Sequence, residues 1–540
     1  MTSELQAFVD QQVTRLKPVD KALRAAYWNL ATTGEERWQQ ETTRLTIEIR
    51  TLLSDAEAFA RLQGLQAQSG DGDALLARQA ELLHLAFQGN QMDPDTIAEI
   101  SEYETEIANV FNTFRAELRG KKVTDNEIKD ILRESDDLDL RREAWQASKQ
   151  IGSLVAGKIR HLAQRRNAAA QAMGFENFYS MRLKLQELDE AELFETLETL
   201  EQLSRPLYAA YMAALNRTLA ERFGLDVADL RPWHYPDPFF QEAPATDPAL
   251  AAFLKQTYDG RNLEDLTASF YRAIGLDISD ILARSDLYER DGKEQHAFCM
   301  DIDREGDIRV LCNNVSNHIW MDTMLHEFGH AVYDKYIDPG LPYILREPAH
   351  TNLTEAIALL MGRLATDPAW LVAYAGVEPE EVLAVRSLLA ESLRHRLLIF
   401  TRWVLVMVHF ERSLYQDADQ DLDGLWWDTV ERFQMIQRPD GHHSPDWAAK
   451  IHLGTAPVYY HNYLLGEMVA SQLRHHMLGN VVGNGADPTV RFIQDRAVGD
   501  YLKQNLFNLG SSLHWQETLA RVTGERLNPR YFAEQIETLA

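Results

Sequence analysis

The sequence predicts a mainly α-helical protein carrying one small antiparallel hairpin. Apolar residues recur at spacings of three and four along most of the chain, strand-like runs are confined to one stretch near residue 300, and no fixed repeat period suggests a solenoid. Near the N-terminus Leu5, Phe8, Val9, Val13 and Leu16 mark one helix face, which Pro18 is expected to end. Leu193, Leu197, Leu200 and Leu203 mark another, expected to stop ahead of Pro206. Residues 231–240, rich in proline and aromatic rings, form the strongest helix breaker and are expected either as a packed aromatic loop or as the wall of a cleft. Two runs, 297–302 and 308–315, flank Arg304-Glu305-Gly306-Asp307 and read as the hairpin. A further helix is expected from near Trp320 through Ala331, Val332 and Tyr333.

The 540 residues include 45% hydrophobic and 25% charged residues, with 11 Trp and 21 Phe, enough for a packed core and too many for a disordered or fibrous chain. Lys+Arg 54 against Asp+Glu 82 gives a net charge of −28, which repels phosphate backbones and anionic lipid. With no local basic patch to offset it, nucleic-acid and membrane-surface partners are not expected, and no obligate protein partner is evident. Two cysteines, Cys299 and Cys312, exclude a disulfide framework and are expected to be reduced packing residues. Whether their sulfurs face each other depends on the register of the hairpin. The N-terminal segment lacks a basic region followed by an apolar one, and the most apolar window, 397–410, is interrupted by Arg402. A cytoplasmic location is the expectation.

The segment that carries chemistry is His326-Glu327-Phe328-Gly329-His330. On a helix, residues four apart lie about 40° apart on one face, so both imidazoles reach one ion while Glu327 flanks the vacant coordination position. A catalytic zinc needs a third protein ligand and an open fourth position. Tyr333 and Tyr336 stand where a metzincin would continue, which leaves Glu347, His350 and Glu355 as candidates. Glu355 opens an almost wholly apolar helix, where an unpaired carboxylate would be expensive, so metal ligation explains it best. The alternative is a capping box with Asn352 as N-cap. Farther on, 450–463 (KIHLGTAPVYYHNY) gathers Lys, His and Tyr side chains of the kind that stabilise an oxyanion or hold a free carboxylate.

The set HEFGH, REPAHTNLTEAIA and KIHLGTAPVYYHNYL, with Ala26-Tyr27-Trp28-Asn29-Leu30 near the start, resembles the angiotensin-converting-enzyme-like peptidyl-dipeptidases. It is similar, less closely, to the thimet oligopeptidases and oligoendopeptidases, all HExxH zinc peptidases of the gluzincin kind. The resemblance implies one catalytic domain over residues 1–540, a helical ellipsoid split by a deep substrate channel between two helical halves, with a short sheet beside the metal. It implies one Zn2+ per chain held by His326, His330 and Glu355, with Glu327 as general base. Glu347 then becomes a supporting or loop residue. His296, Ala297 and Cys299 match the edge strand that pairs with substrate backbone. His452 would hold a substrate carbonyl, Lys450 the C-terminal carboxylate with Tyr460 assisting, and Tyr463 would donate to the oxyanion. One residue is inserted between His452 and the tyrosines, so Tyr459 competes with Tyr460. Asn462 stands in place of a chloride-binding Arg, and Leu359 in place of an acidic residue one turn after the third ligand. The expected activity is hydrolysis of short unfolded peptides with release of C-terminal dipeptides. The alternatives are an oligoendopeptidase cutting internal bonds and an inactive helical scaffold with a structural metal or none.

Overall fold

A computed structural model describes residues 2–68, 72–244, 247–482 and 487–539. Among them helices dominate, and the strands form two two-stranded antiparallel sheets, the mainly α architecture expected. No helix among the described residues is long and apolar enough to cross a membrane. The chain divides into two compact units. The first comprises Met1–Gln91, Pro248–Leu389 and Leu465–Phe532; the second comprises Met92–Asp247, Ala390–Leu464 and Ala533–Ala540.

In the first unit the opening helix, Thr2–Thr33, runs straight through Pro18. A proline inside a helix costs about 3 kcal/mol, yet this one is flanked on both sides by packing. Leu5, Phe8 and Val9 bury against Leu62, Leu76, Leu83 and Phe87. Trp28 and Ala31 pack against Ile302 and Leu311. The expected stop at Pro18 is therefore corrected, because tertiary burial on either side outweighs one lost backbone bond.

The hairpin of this unit pairs Phe298–Asp301 with Ile308–Leu311, Phe298 opposite Leu311 and Cys299 opposite Val310. Asp301 and Asp303 close its turn by accepting the N–H groups of Asp303, Arg304, Glu305 and Asp307. Gly306 at φ 108 and Arg304 at φ 56 give the reversal its left-handed residues. Both cysteines are free, Cys312 buried and Cys299 partly so. Because Ile302 donates to the Asp307 carbonyl, alternation along the ladder turns the backbone groups of Ala297, Cys299 and Asp301 away from the partner strand.

In the second unit Glu190–Phe223 likewise passes through Pro206, with Leu193, Leu197 and Leu200 buried on both-sided packing ahead of it and Tyr208 and Met212 after it. Residues 231–240 are a packed aromatic loop: the Trp145 and Trp233 rings lie 5.8 Å apart in a tilted arrangement, and the Trp145 indole N–H and the Lys149 ammonium both donate to the Pro238 carbonyl. Arg402, which interrupts the most apolar window, is 1% exposed and donates to Ser204 and to Glu201. A buried guanidinium needs such partners.

Candidate metal centre and a buried lysine cluster

His326 and His330 project from the helix His318–Lys335, whose N-cap Asn317 accepts the Trp320 N–H at 2.9 Å. The third group comes from the helix Thr351–Gly362. Its N-cap is His350, whose Nδ1 accepts the Asn352 N–H at 3.0 Å, so the reading of Asn352 as N-cap is corrected. Asn352 lies fully buried as the second residue of the helix, past the capping position. Glu347 is engaged with Arg24 and Arg304. Glu355 remains, its two oxygens 3.7 Å from His326 Nε2 and 3.9 Å from His330 Nε2. Ligand atoms of His326, His330 and Glu355 all lie within 4.8 Å of one another, a spacing one cation can span. Thr354 Oγ1 holds His330 Nδ1 at 2.7 Å, which leaves Nε2 facing Glu355.

Gly329 explains how two helices come so close. A Cβ there would lie 2.8 Å from the Ala358 Cα and 3.2 Å from its nitrogen, so the helices touch backbone to backbone between the histidines and the glutamate. Gly466 repeats the device on Glu355 itself, since a Cβ there would lie 3.1 Å from the Glu355 Cβ.

The electrostatics suit a dication. Burial holds His326 below the ordinary imidazole range and His330 down at about 3, so both rings are neutral and offer lone pairs. Burial pushes Glu355 up to about 7, and burial plus the Glu355 charge pushes Glu327 up to about 8. Two carboxyls that resist ionisation next to two neutral imidazoles form a donor set that a bound cation would satisfy. Glu327, 8% exposed, accepts the outward backbone N–H of Cys299. The hairpin edge thus borders the candidate base. His296 lies just ahead of that edge with its side chain 94% exposed and 3.0 Å from Glu294. Ala297 is partly buried and immediately precedes the strand.

The second unit gathers the other predicted residues. Lys450 donates to Gln241 Oε1 at 2.5 Å and sits 5.0 Å from the Trp403 ring centroid and 5.5 Å from that of Phe239. Burial lowers its ammonium to about 8, an effect opposed by Asp237. Trp403 Nε1 donates to Tyr460 Oη at 3.1 Å, and the His452 and Tyr460 rings lie 4.9 Å apart. Tyr460 therefore shares the Lys450 cluster, whereas Tyr459 packs edge-on to Tyr463 at 5.3 Å. Burial holds His452 at about 4, a neutral ring. Gln241 and Trp403 were missed by sequence reasoning, whereas Phe239 lies in the stretch 231–240 expected as a packed loop or cleft wall. The one signal available was the aromatic loop 231–240, which ends beside Gln241.

Two family matches divide the chain. Residues 281–538 match peptidase family M3, and residues 1–233 match the family described as angiotensin-converting enzyme. The chain is also 21% identical over 301 residues to a Caenorhabditis elegans protein named inactive angiotensin-converting enzyme-related protein. That match covers 53% of this chain and 32% of the relative, so the chain spans about a third of that protein's length. His326, Glu327, His330 and Glu355 all fall within the segment matched to family M3.

Proposed function

We propose that this chain, which belongs to the group of zinc peptidases embracing angiotensin-converting enzyme and family M3, hydrolyses short unfolded peptides and releases C-terminal dipeptides. The observation that carries the reading is the buried set of His326, His330 and Glu355 with Glu327 beside it. The donor set, two neutral imidazole nitrogens and one carboxylate, is the kind that takes catalytic zinc. When bound, zinc supplies Lewis acidity to the scissile carbonyl and to water.

The chain's own residues do the rest. Glu327 takes the proton of the attacking water and returns it to the leaving amine, a role that fits a carboxyl on the same helix as His326 and His330. The backbone of Ala297 and the outward carbonyl of Cys299 pair with the substrate strand. Tyr463 and the neutral His452 donate to the developing oxyanion. Lys450, with Gln241 and Tyr460, holds the free C-terminal carboxylate and so sets the cleavage register from that end. One Zn2+ per chain, peptide substrates and a reducing cytoplasmic setting complete the reading, the last supported by two free cysteines.

A second reading, an oligopeptidase cutting internal bonds, is favoured by the match of the metal-bearing segment to family M3. The relative named inactive raises a third, a scaffold without turnover. Digesting a mixed peptide pool with the zinc-loaded protein and sequencing products by mass spectrometry separates them. Dipeptides from free C-termini support the proposal; internal cuts replace it with the second reading, and no cuts replace it with the third.

A further inference from the structure

Val458 has φ 55, and among the described residues with positive φ other than glycine it alone is β-branched. Its two methyl groups make that left-handed conformation a steric outlier, which persists only where the surroundings over-determine it. Here both backbone polar groups are held by side chains distant in sequence, one buried and one half-buried. The carboxylate of Glu411, 3% exposed, accepts the Val458 N–H at 2.8 Å. The Gln186 amide donates to the Val458 carbonyl at 3.0 Å, and its oxygen accepts from Asn462 Nδ2 at 2.9 Å. Gln186 is the C-cap of the helix Phe178–Leu185, and its amide nitrogen also donates to the Arg182 carbonyl at 3.0 Å. Its one amide therefore grips the chain on both sides of Tyr459 and Tyr460 and one residue short of Tyr463.

We infer that Gln186 and Glu411 are positioning residues for the peptidase reaction, holding Val458 in its strained conformation so that Tyr460 reaches the Lys450 cluster and Tyr463 keeps its place on the first turn of the helix His461–His476. The inference rests on the functional reading above for the roles of the two tyrosines and on geometry alone for the clamp. Without the amide donor, Val458 relaxes toward negative φ and the tyrosine segment turns with it. Misplacement of about 1 Å can cost about 100-fold in rate, so a device spending strain on orientation is intelligible here.

The test uses Gln186→Glu, which keeps volume and the acceptor for Asn462 but removes the donor to Val458, with Gln186→Ala as a second variant. In folded protein with wild-type zinc content, kcat/KM should fall at least about tenfold, with kcat lower and KM for free-acid peptides higher. Hydrogen exchange over 459–463 should speed up at least about tenfold in parallel. Adding Val458→Gly, which adopts positive φ without strain, should restore most of both losses. Normal kinetics in the folded variant overturn the inference, as does a loss that Val458→Gly leaves unrepaired. If the wild-type protein cuts no peptide, the functional reading has failed separately and exchange decides alone: faster exchange reversed by Val458→Gly supports the clamp, and unchanged exchange overturns it.

Discussion

Adding one methyl group at Gly329 should loosen the metal centre without touching a ligand. A Cβ at 2.8 Å from the Ala358 Cα falls about 1 Å short of ordinary van der Waals separation, and the obstacle is helix backbone, which cannot swing aside. The two helices must part, and they carry the histidines and the glutamate respectively. Metal sites tolerate ligand displacements of about 0.2 Å, so a shift several times larger should weaken zinc binding at least about tenfold, or about 1.4 kcal/mol. Overpacking costs about 1 to 3 kcal/mol, from which the better helix propensity of Ala returns about 1. Net destabilisation of up to about 2 kcal/mol should follow. Gly157, exposed in the helix Leu138–Ala172 with nothing within 4 Å of its would-be Cβ, is the control. There Ala should stabilise by up to about 1 kcal/mol. Chelator competition for zinc and urea denaturation read both quantities. A Gly329→Ala protein with wild-type zinc affinity and stability would refute the backbone-contact argument.

Metal analysis should show Glu355→Ala losing zinc while Glu347→Ala keeps it, since Glu347 is occupied by two guanidiniums; the opposite pattern would mean the wrong third ligand. Glu327→Gln should retain zinc and lose at least about 100-fold in kcat, and near-normal turnover would reject it as the base. C-terminal amidation of a good substrate removes a charge-assisted contact with Lys450 contributing about 1.5 to 3 kcal/mol, so kcat/KM should drop roughly 10- to 100-fold. Because burial lowers Lys450 to about 8, its charge is present below that pH and lost above it. The advantage of free acids over amides should therefore fade as pH rises through about 8, and an advantage constant to pH 10 would exclude Lys450 as the anchor.

The helical class, the hairpin near residue 300 and the group His326, Glu327 and His330 of the candidate metal centre were legible because each rests on local spacing. Residues four apart share a helix face whatever the rest of the chain does. Glu355 could be singled out because a carboxylate in an apolar helix needs a partner wherever that helix packs. Pro18 and Pro206 misled because a local penalty of about 3 kcal/mol is small beside the packing flanking it, which no window of sequence displays. The cap at His350 rather than Asn352 turned on where the backbone entered the helix by two residues. Gly329 inside HEFGH, Gln241 on Lys450 and Gln186 across Val458 and Asn462 were decided only by tertiary structure. Each joins elements dozens to hundreds of residues apart, and such contacts arise from how faces pack rather than from the periodicity that makes the faces.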